Sequence, residues 1–240
     1  MENLHVRSRL AERPGSGFVV TWNTFATVGV PYSWHFRGRF LDENLQPTAP
    51  SFLAGSGLTG YGYHQTLDSR SDGSFVLSWH GVESSFPSLS DLPAQRFGSD
   101  GAPVGNYLQI NSSTGGVNEF PDLTFVQDSN LVVTFKHRNL FEDRETIEAR
   151  LFRPDGTPLN PDFQVSAFTT GKPTYPKIAA NDQGDFIVVW TSEASPGSDD
   201  SRTSIQARLF SSELFPFFEN GFETGDLSGW SESEGFTPTP

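Results

Sequence analysis

The chain has no cysteine and a single methionine in 240 residues. That excludes a disulfide framework and thiolate zinc sites, although many exported β-proteins also dispense with cysteine, so the compartment stays open. No apolar run approaches the roughly 18 residues a membrane-spanning helix needs. No charged-then-apolar leader follows Met1. The chain is therefore expected either to be cytoplasmic or to lack a leader that was removed. Positive charge is scarce: 16 Lys and Arg against 29 Asp and Glu leave a net charge of −13. Nucleic acid and anionic membrane surfaces would repel such a protein, so neither is an expected partner. Helical periodicity is missing too, and so are the H-E-x-x-H, G-x-S-x-G and D-x-D-x-D-G signatures.

What the chain does have is aromatic residues and turn formers: 22 Phe, 5 Trp, 5 Tyr, 23 Gly and 17 Pro, the mark of many short elements joined by tight turns. They recur with a period. Trp22, Trp79, Phe135 and Trp190 each close an apolar run, at spacings of 57, 56 and 55. Phe40, Phe97, Phe152 and Phe210 form a second ladder at 57, 55 and 58. The stretches LAERPGSGFVVTW, LDSRSDGSFVLSW, LTFVQDSNLVVTF and IAANDQGDFIVVW, starting at Leu10, Leu67, Leu123 and Ile178, align without a gap. Each reads as strand, polar turn, strand. Runs such as Phe186-Ile187-Val188-Val189-Trp190 are apolar on both faces, which requires cover on both faces. A third strand echoes at Ala94 to Phe97, Glu148 to Phe152 and Gln206 to Phe210, and a fourth follows at Asn106 to Ile110 and Asp162 to Val165. Four repeats of about 56 residues with four strands each predict an all-β fold, a β-propeller of four-stranded antiparallel blades. The expected blades are 1–57, 58–114, 115–169 and 170–218, followed by a C-terminal tail, 219–240, that is partly packed and partly flexible.

The repeat G-x-F-V-V-x-W, then a polar loop, then A-Q-R-F-x-x-x-G-x-P, resembles tandem repeats of large secreted bacterial exoproteins. The resemblance covers Leu4 to about Phe210 and is weakest in the first unit, where Arg37-Gly38-Arg39-Phe40 replaces A-Q-R-F. It implies a propeller-like fold and export, and no activity. The stretch Phe218 to Ser231 is similar to an F-x-D-G-F-E-S-G-D-L-S-x-W-S phrase of exported bacterial proteins. Leu214 to Phe218 is expected to form the last strand, and the aromatics through Trp230 to pack on the last blade.

The long loops between second and third strands, and between units, share one face, which is the expected functional face. Tyr32, Trp34, Tyr61, Tyr63 and His64 lie in or beside them and are the candidate ligand-binding residues, since an exposed Tyr or Trp stacks on a sugar ring. Filling of blade-to-blade contacts is the competing, favoured role for them. Lys136 to Arg138 with Glu142 to Glu145 reads as a solvated loop of local ion pairs, and Glu193, Asp199 and Asp200 as an acidic loop rather than a calcium site. The first strands, which would line the channel, offer Arg7, Arg9, Asp68, Asp122 and Lys177, a set that ordinary channel solvation explains. No catalytic residue, metal or cofactor is expected. The leading expectation is a non-enzymatic extracellular adhesion or assembly module, meeting a glycan or a cell-surface protein through its loop face or blade edges. The alternatives are a lectin using the loop aromatics, and a glycan-active hydrolase with carboxylates in the channel. A four-bladed ring closed on itself and a larger ring completed by a second copy are both open, with self-association slightly preferred.

Overall fold

In the computed structural model, residues 4–26, 33–58, 62–82, 90–112, 116–127, 129–166, 172–193 and 203–211 are described. They form a four-bladed β-propeller. No helix among them is long and apolar enough to cross a membrane. Blade 1 holds β1 (Leu4–Arg13), β2 (Gly17–Ala26), β3 (Ser33–Leu41) and β4 (Phe52–Leu58). Blade 2 holds β5 (Gly62–Ser69), β6 (Phe75–Val82), the two-residue β7 (Ser90–Asp91), β8 (Pro93–Phe97) and β9 (Pro103–Gln109). Blade 3 holds β10 (Gly116–Val126), β11 (Asn130–Asn139), β12 (Arg144–Phe152) and β13 (Phe163–Gln164). In blade 4 the described strands are β14 (Thr174–Ala180), β15 (Phe186–Glu193) and β16 (Thr203–Phe210). Each blade is an antiparallel meander, and β7 bridges blades 2 and 3 by pairing parallel to β10 at Val117. The fourth strand of blade 4 expected at Leu214 to Phe218, and the tail, lie outside the described residues.

The hairpins of the aligned stretches form as their turn chemistry dictates. In Arg70-Ser71-Asp72-Gly73-Ser74, the Asp72 carboxylate accepts from the Ser74 amide at 2.8 Å while Gly73 takes a φ of +80°, a conformation costly for any residue with a Cβ. The hairpin of blade 4 is capped from the start of its turn instead, by Asn181, whose side chain accepts from the amides of Gln183 and Asp185 ahead of and beyond Gly184 (φ +94°).

Packing between blades is directional at the second-strand anchors. The residues Phe75, Leu77, Trp79 and Phe97 of blade 2 face back onto Val19, Phe36 and Ala54 of blade 1. Leu131, Val133, Phe135 and Phe152 of blade 3 face back onto Val76, Leu92 and Ala94 of blade 2. Phe186, Val188, Trp190 and Phe210 of blade 4 repeat this on Val132, Ile147 and Ala149 of blade 3. The doubly apolar runs are thus covered on both faces, as their composition requires. The Arg of the third-strand motif locks the outer rim. Arg150 donates to the Ile110 carbonyl and Arg208 to the Val165 carbonyl, both at 2.9 Å, each reaching the preceding blade.

Blade 1 breaks the second ladder. Phe97, Phe152 and Phe210 stand opposite Phe75, Leu131 and Phe186, but Phe40 stands opposite Val19 and not Phe18. This shift of one residue turns the side chain to the other face of the sheet. Phe40 therefore points forward into the seam with blade 2, against Phe52 at 5.1 Å and beneath the Arg13 guanidinium at 3.9 Å. The charged stretch Lys136 to Glu145 is also placed differently from the expected solvated loop. Lys136 and His137 belong to β11 and Glu145 to β12; Lys136 pairs with Glu145 at 3.0 Å, and buried His137 bonds Asn118 at 2.9 Å. The seam between blades 4 and 1 differs from the other three: on the forward face of blade 4, Ile205 is 73% and Leu209 54% exposed.

Trp79, which is fully buried in the first seam, tests the wedge. Trp79→Ala is expected to lower stability by about 3–5 kcal/mol, whereas Ile205→Ser stays within about 0.5 kcal/mol of the parent; urea unfolding followed by tryptophan fluorescence checks both.

Candidate functional site at the channel mouth

The four innermost strands, β1, β5, β10 and β14, carry the same defect. In each the pairing register with its neighbour slips, between Val6 and Ser8, Tyr63 and Thr66, Glu119 and Asp122, and Thr174 and Lys177. The residue at the bulge lies in the left-handed region: Arg7 (φ +51°), His64 (+49°), Phe120 (+54°) and Tyr175 (+53°). Each stands 15 residues ahead of its Trp or Phe anchor. A non-glycine residue held there costs about 1–3 kcal/mol and persists only where its surroundings over-determine it. Bulges also re-aim side chains, and they concentrate at rims and beside binding sites.

Here they re-aim four side chains into one continuous tier. The Arg7 guanidinium lies 3.2 Å from the His64 ring nitrogens. The His64 ring meets Phe120 edge-on at 4.4 Å, and Phe120 leans on Tyr175 at 4.6 Å. Tyr175 is 58% exposed. The bulge of β1 is fixed from behind by buried Gln65, which donates to the Arg7 carbonyl at 2.5 Å and accepts from the Thr21 hydroxyl at 3.0 Å. At the matching place in β10 and β14 stand Pro121 and Pro176, which have no N–H to contribute to a ladder.

Two residues further along each strand lies a second tier: Arg9, Thr66, Asp122 and Lys177. Asp122 joins three blades there. It accepts from the Thr66 hydroxyl of blade 2 at 3.0 Å, from Lys177 Nζ of blade 4 at 3.0 Å, and from the Ile178 amide at 3.0 Å. Below it, Asp68 accepts from the Thr124 hydroxyl at 3.2 Å and the Phe125 amide at 3.0 Å. Burial pushes the Asp68 carboxyl above the ordinary carboxylate range, and the charge of Asp122 adds to this against the pull of its hydrogen bonds. The two carboxyls stand on the adjacent inner strands β5 and β10.

Both histidines of the mouth are held neutral. Burial lowers His64 to about 4, assisted by Arg7, His80, Arg9 and Lys177, and burial alone lowers His80 to about 4. The two rings lie 6.2 Å apart. Among the described residues no group of three or more His, Asp or Glu is placed to hold a metal ion. Glu193 ends β15, while Asp199 and Asp200 lie outside the described residues.

Of the sequence candidates, His64 is in this tier. Tyr32 and Tyr61 lie outside the described residues, and so do the side chains of Trp34 and Tyr63, whose backbones pair with Phe25 and His80. Sequence reading did not single out Phe120, Tyr175 or His80. The bulge position carries Arg, His, Phe and Tyr in turn, so no residue type repeats, and only its constant offset from the anchor marks it.

No protein-family model and no curated protein sequence matches the chain. Solved structures do match its shape. The α-L-arabinanase of Penicillium chrysogenum, complexed with arabinobiose, superposes with a TM-score of 0.60 at 14% identity, over 86% of this chain and 62% of that one. The xylan β-1,4-xylosidase of Bacillus halodurans gives 0.53 at 12% identity, over 88% and 44%. The levansucrase of Bacillus subtilis, in complex with oligosaccharides, gives 0.51 at 10%, over 84% and 67%. The chain thus spans about two thirds or less of these proteins. The expectation of a non-enzymatic adhesion or assembly module is corrected by this likeness, because the propellers of matching shape are enzymes of glycans. That expectation rested on the lack of a local catalytic motif, and in a propeller functional groups come from separate blades and meet only at the axis.

The neutral histidines yield a pH prediction with a definite sign. Unfolded, both regain the ordinary value of 6.5, so the unfolded chain binds more protons between that value and about 4. Their contribution to stability is complete above pH 6.5 and is lost as pH falls toward 4. The melting temperature is expected to drop across this window, less steeply in His80→Gln, in calorimetric scans at each pH.

Proposed function

We propose that the protein is a glycan-active hydrolase working in the central channel, with Asp68 and Asp122 as its carboxyl pair. The observation that carries this reading is the placement of these two carboxyls on neighbouring inner strands, one of them buried and raised, in a scaffold shared with enzymes of arabinan, xylan and fructan. Glycoside hydrolysis needs one carboxyl that holds a proton and one that stays ionised. Asp68, desolvated by burial, holds the proton and delivers it to the departing glycosidic oxygen. Asp122, held in place by Lys177 and the Ile178 amide, is the base beside the anomeric carbon and takes the proton of the water whose oxygen bonds there. The long-loop face is then the entrance for a polysaccharide, and export, expected from the repeats, suits such a substrate.

The same carboxyls also tie blade to blade, so the test has to separate chemistry from stability. Release of reducing sugar from arabinan, xylan and levan is the assay. Asp68→Asn and Asp122→Asn are expected to lower kcat by about a thousandfold or more, while the amide keeps an acceptor for the latch and the variants stay folded. Activity that falls only in step with the folded fraction, or no hydrolysis of any of the three by the parent, overturns the reading.

A further inference from the structure

The two faces that flank the seam between blades 4 and 1 have the residues of seam faces but not their burial. In β2, Phe18, Val20 and Trp22 alternate with Val19, which packs on blade 2, so they face backward. Leu10 joins them as the partner of Val20 across the ladder. The counterparts in blade 2, Leu67, Phe75, Leu77 and Trp79, all belong to the core of the first seam. In blade 1, Phe18, Val20 and Trp22 are only half-buried and Leu10 is 58% exposed. The forward face of blade 4 repeats the pattern. Ile187 alternates with the backward-facing Phe186 and Val188, and its ladder partner Leu209 shares the forward face with Ala207 and Ile205. Leu92 and Ile147 precede their third-strand Phe by five positions, as Ile205 does; both are fully buried, whereas Ile205 is 73% exposed. A polar clasp accompanies each of the other seams. Arg13 donates to the Ser99 carbonyl of blade 2 at 2.6 Å, Arg70 to the Ser129 carbonyl of blade 3 at 2.9 Å, and Gln127 to the Gln183 carbonyl of blade 4 at 3.0 Å. Asn181, at the start of the blade 4 turn, bonds to its own hairpin.

We propose that the protein associates head to tail with a second copy of itself, the forward face of blade 4 in one copy receiving the backward face of blade 1 in the next. Ile187, Ile205 and Leu209 stand on one side of this seam, and Leu10, Val20 and Trp22 on the other. In the three closed seams a forward face is covered by the second-strand anchors of the next blade, and residues 212–240 hold no further copy of that hairpin stretch. A second copy brings the two uncovered faces together at once, each against the residue types that its counterparts meet. Exposed apolar faces of this kind mark interaction surfaces, and a contact between two different patches is heterologous. Two copies that each carry a net charge of −13 repel, so salt, which screens the repulsion, favours the contact. Asp68 and Asp122 take no part, and the inference stands apart from the hydrolase reading.

Sedimentation equilibrium on the full chain reads the mass directly. It is expected to be that of one chain near about 1 µM and to exceed it by about 300 µM, the range of a weak, reversible interface. The rise is expected to be larger in about 300 mM salt than in about 20 mM. Leu10→Asp and Ile205→Asp, both at exposed positions, are each expected to remain at one chain throughout and to keep the parent's melting temperature in dilute solution. Leu209→Asp reads the blade 4 face a second time, should Ile205→Asp lose the fold. An equimolar mixture of the Leu10→Asp and Ile205→Asp variants is expected to form pairs and nothing larger, because each supplies the face that the other lacks. A mass of one chain at every concentration overturns the proposal; if the substitutions then also lower the melting temperature, the faces are covered from within the same chain, by its own blades or by residues 212–240. Association that survives the substitutions, or a mixture that does not pair, overturns it as well.

Discussion

Burial of one blade's apolar face against the next is the interaction on which everything else in this protein depends. A run such as Phe75 to Trp79 is apolar on both sides, so a single blade would present two greasy faces to water and cannot stand alone. With about 25 cal/mol gained per Å² of apolar surface removed from water, three stacked seams supply the drive that holds the inner strands at the axis. The seams are also directional, because the anchors Trp79, Phe135 and Trp190 each face backward onto the blade before. That direction is what brings equivalent positions of successive blades side by side around the channel.

From the seams follows the tiered channel. Once β1, β5, β10 and β14 lie next to one another, residues of equal rank in the repeat become neighbours in space, although about 56 positions separate them in the chain. Arg7, His64, Phe120 and Tyr175 make one tier, and Thr66, Asp122 and Lys177 are bonded within another. The repeat therefore acts as scaffold and distributor at once. Conserving the backbone at a position while varying its side chain puts cation, imidazole and aromatic groups on one rim. The bulge sets the direction of these groups, since a regular strand would direct the same side chains elsewhere.

The parts of the fold readable beforehand are those carried by local chemistry. The gap-free hairpins, the turn glycines and the doubly apolar second strands each declare themselves within about a dozen residues, and each is where the spacing placed it. Phe40 was misassigned by a ladder of matching residue types: pairing in blade 1 is offset by one, and nothing in Arg37-Gly38-Arg39-Phe40 announces that. The site was less legible still. Aromatics in loops drew attention because exposed aromatics stack on sugars, whereas Phe120 and Tyr175 sit inside strands and resemble ordinary strand residues. His80, at the end of the apolar run of blade 2, reads in one dimension as a surface residue, yet it is 6% exposed.

By itself the sequence determined the repeat, the hairpin that opens each unit, the propeller class and the strongly acidic balance. All of these follow from periodicity, turn chemistry and composition, which are local or additive. Only the tertiary structure decided which residues meet at the axis, that Asp68 is desolvated beside the charge of Asp122, and that His64 and His80 are kept neutral. Those properties arise from distances between different blades and from the removal of water around particular groups. Neither is encoded in any single stretch of chain, because both exist only when the blades are stacked.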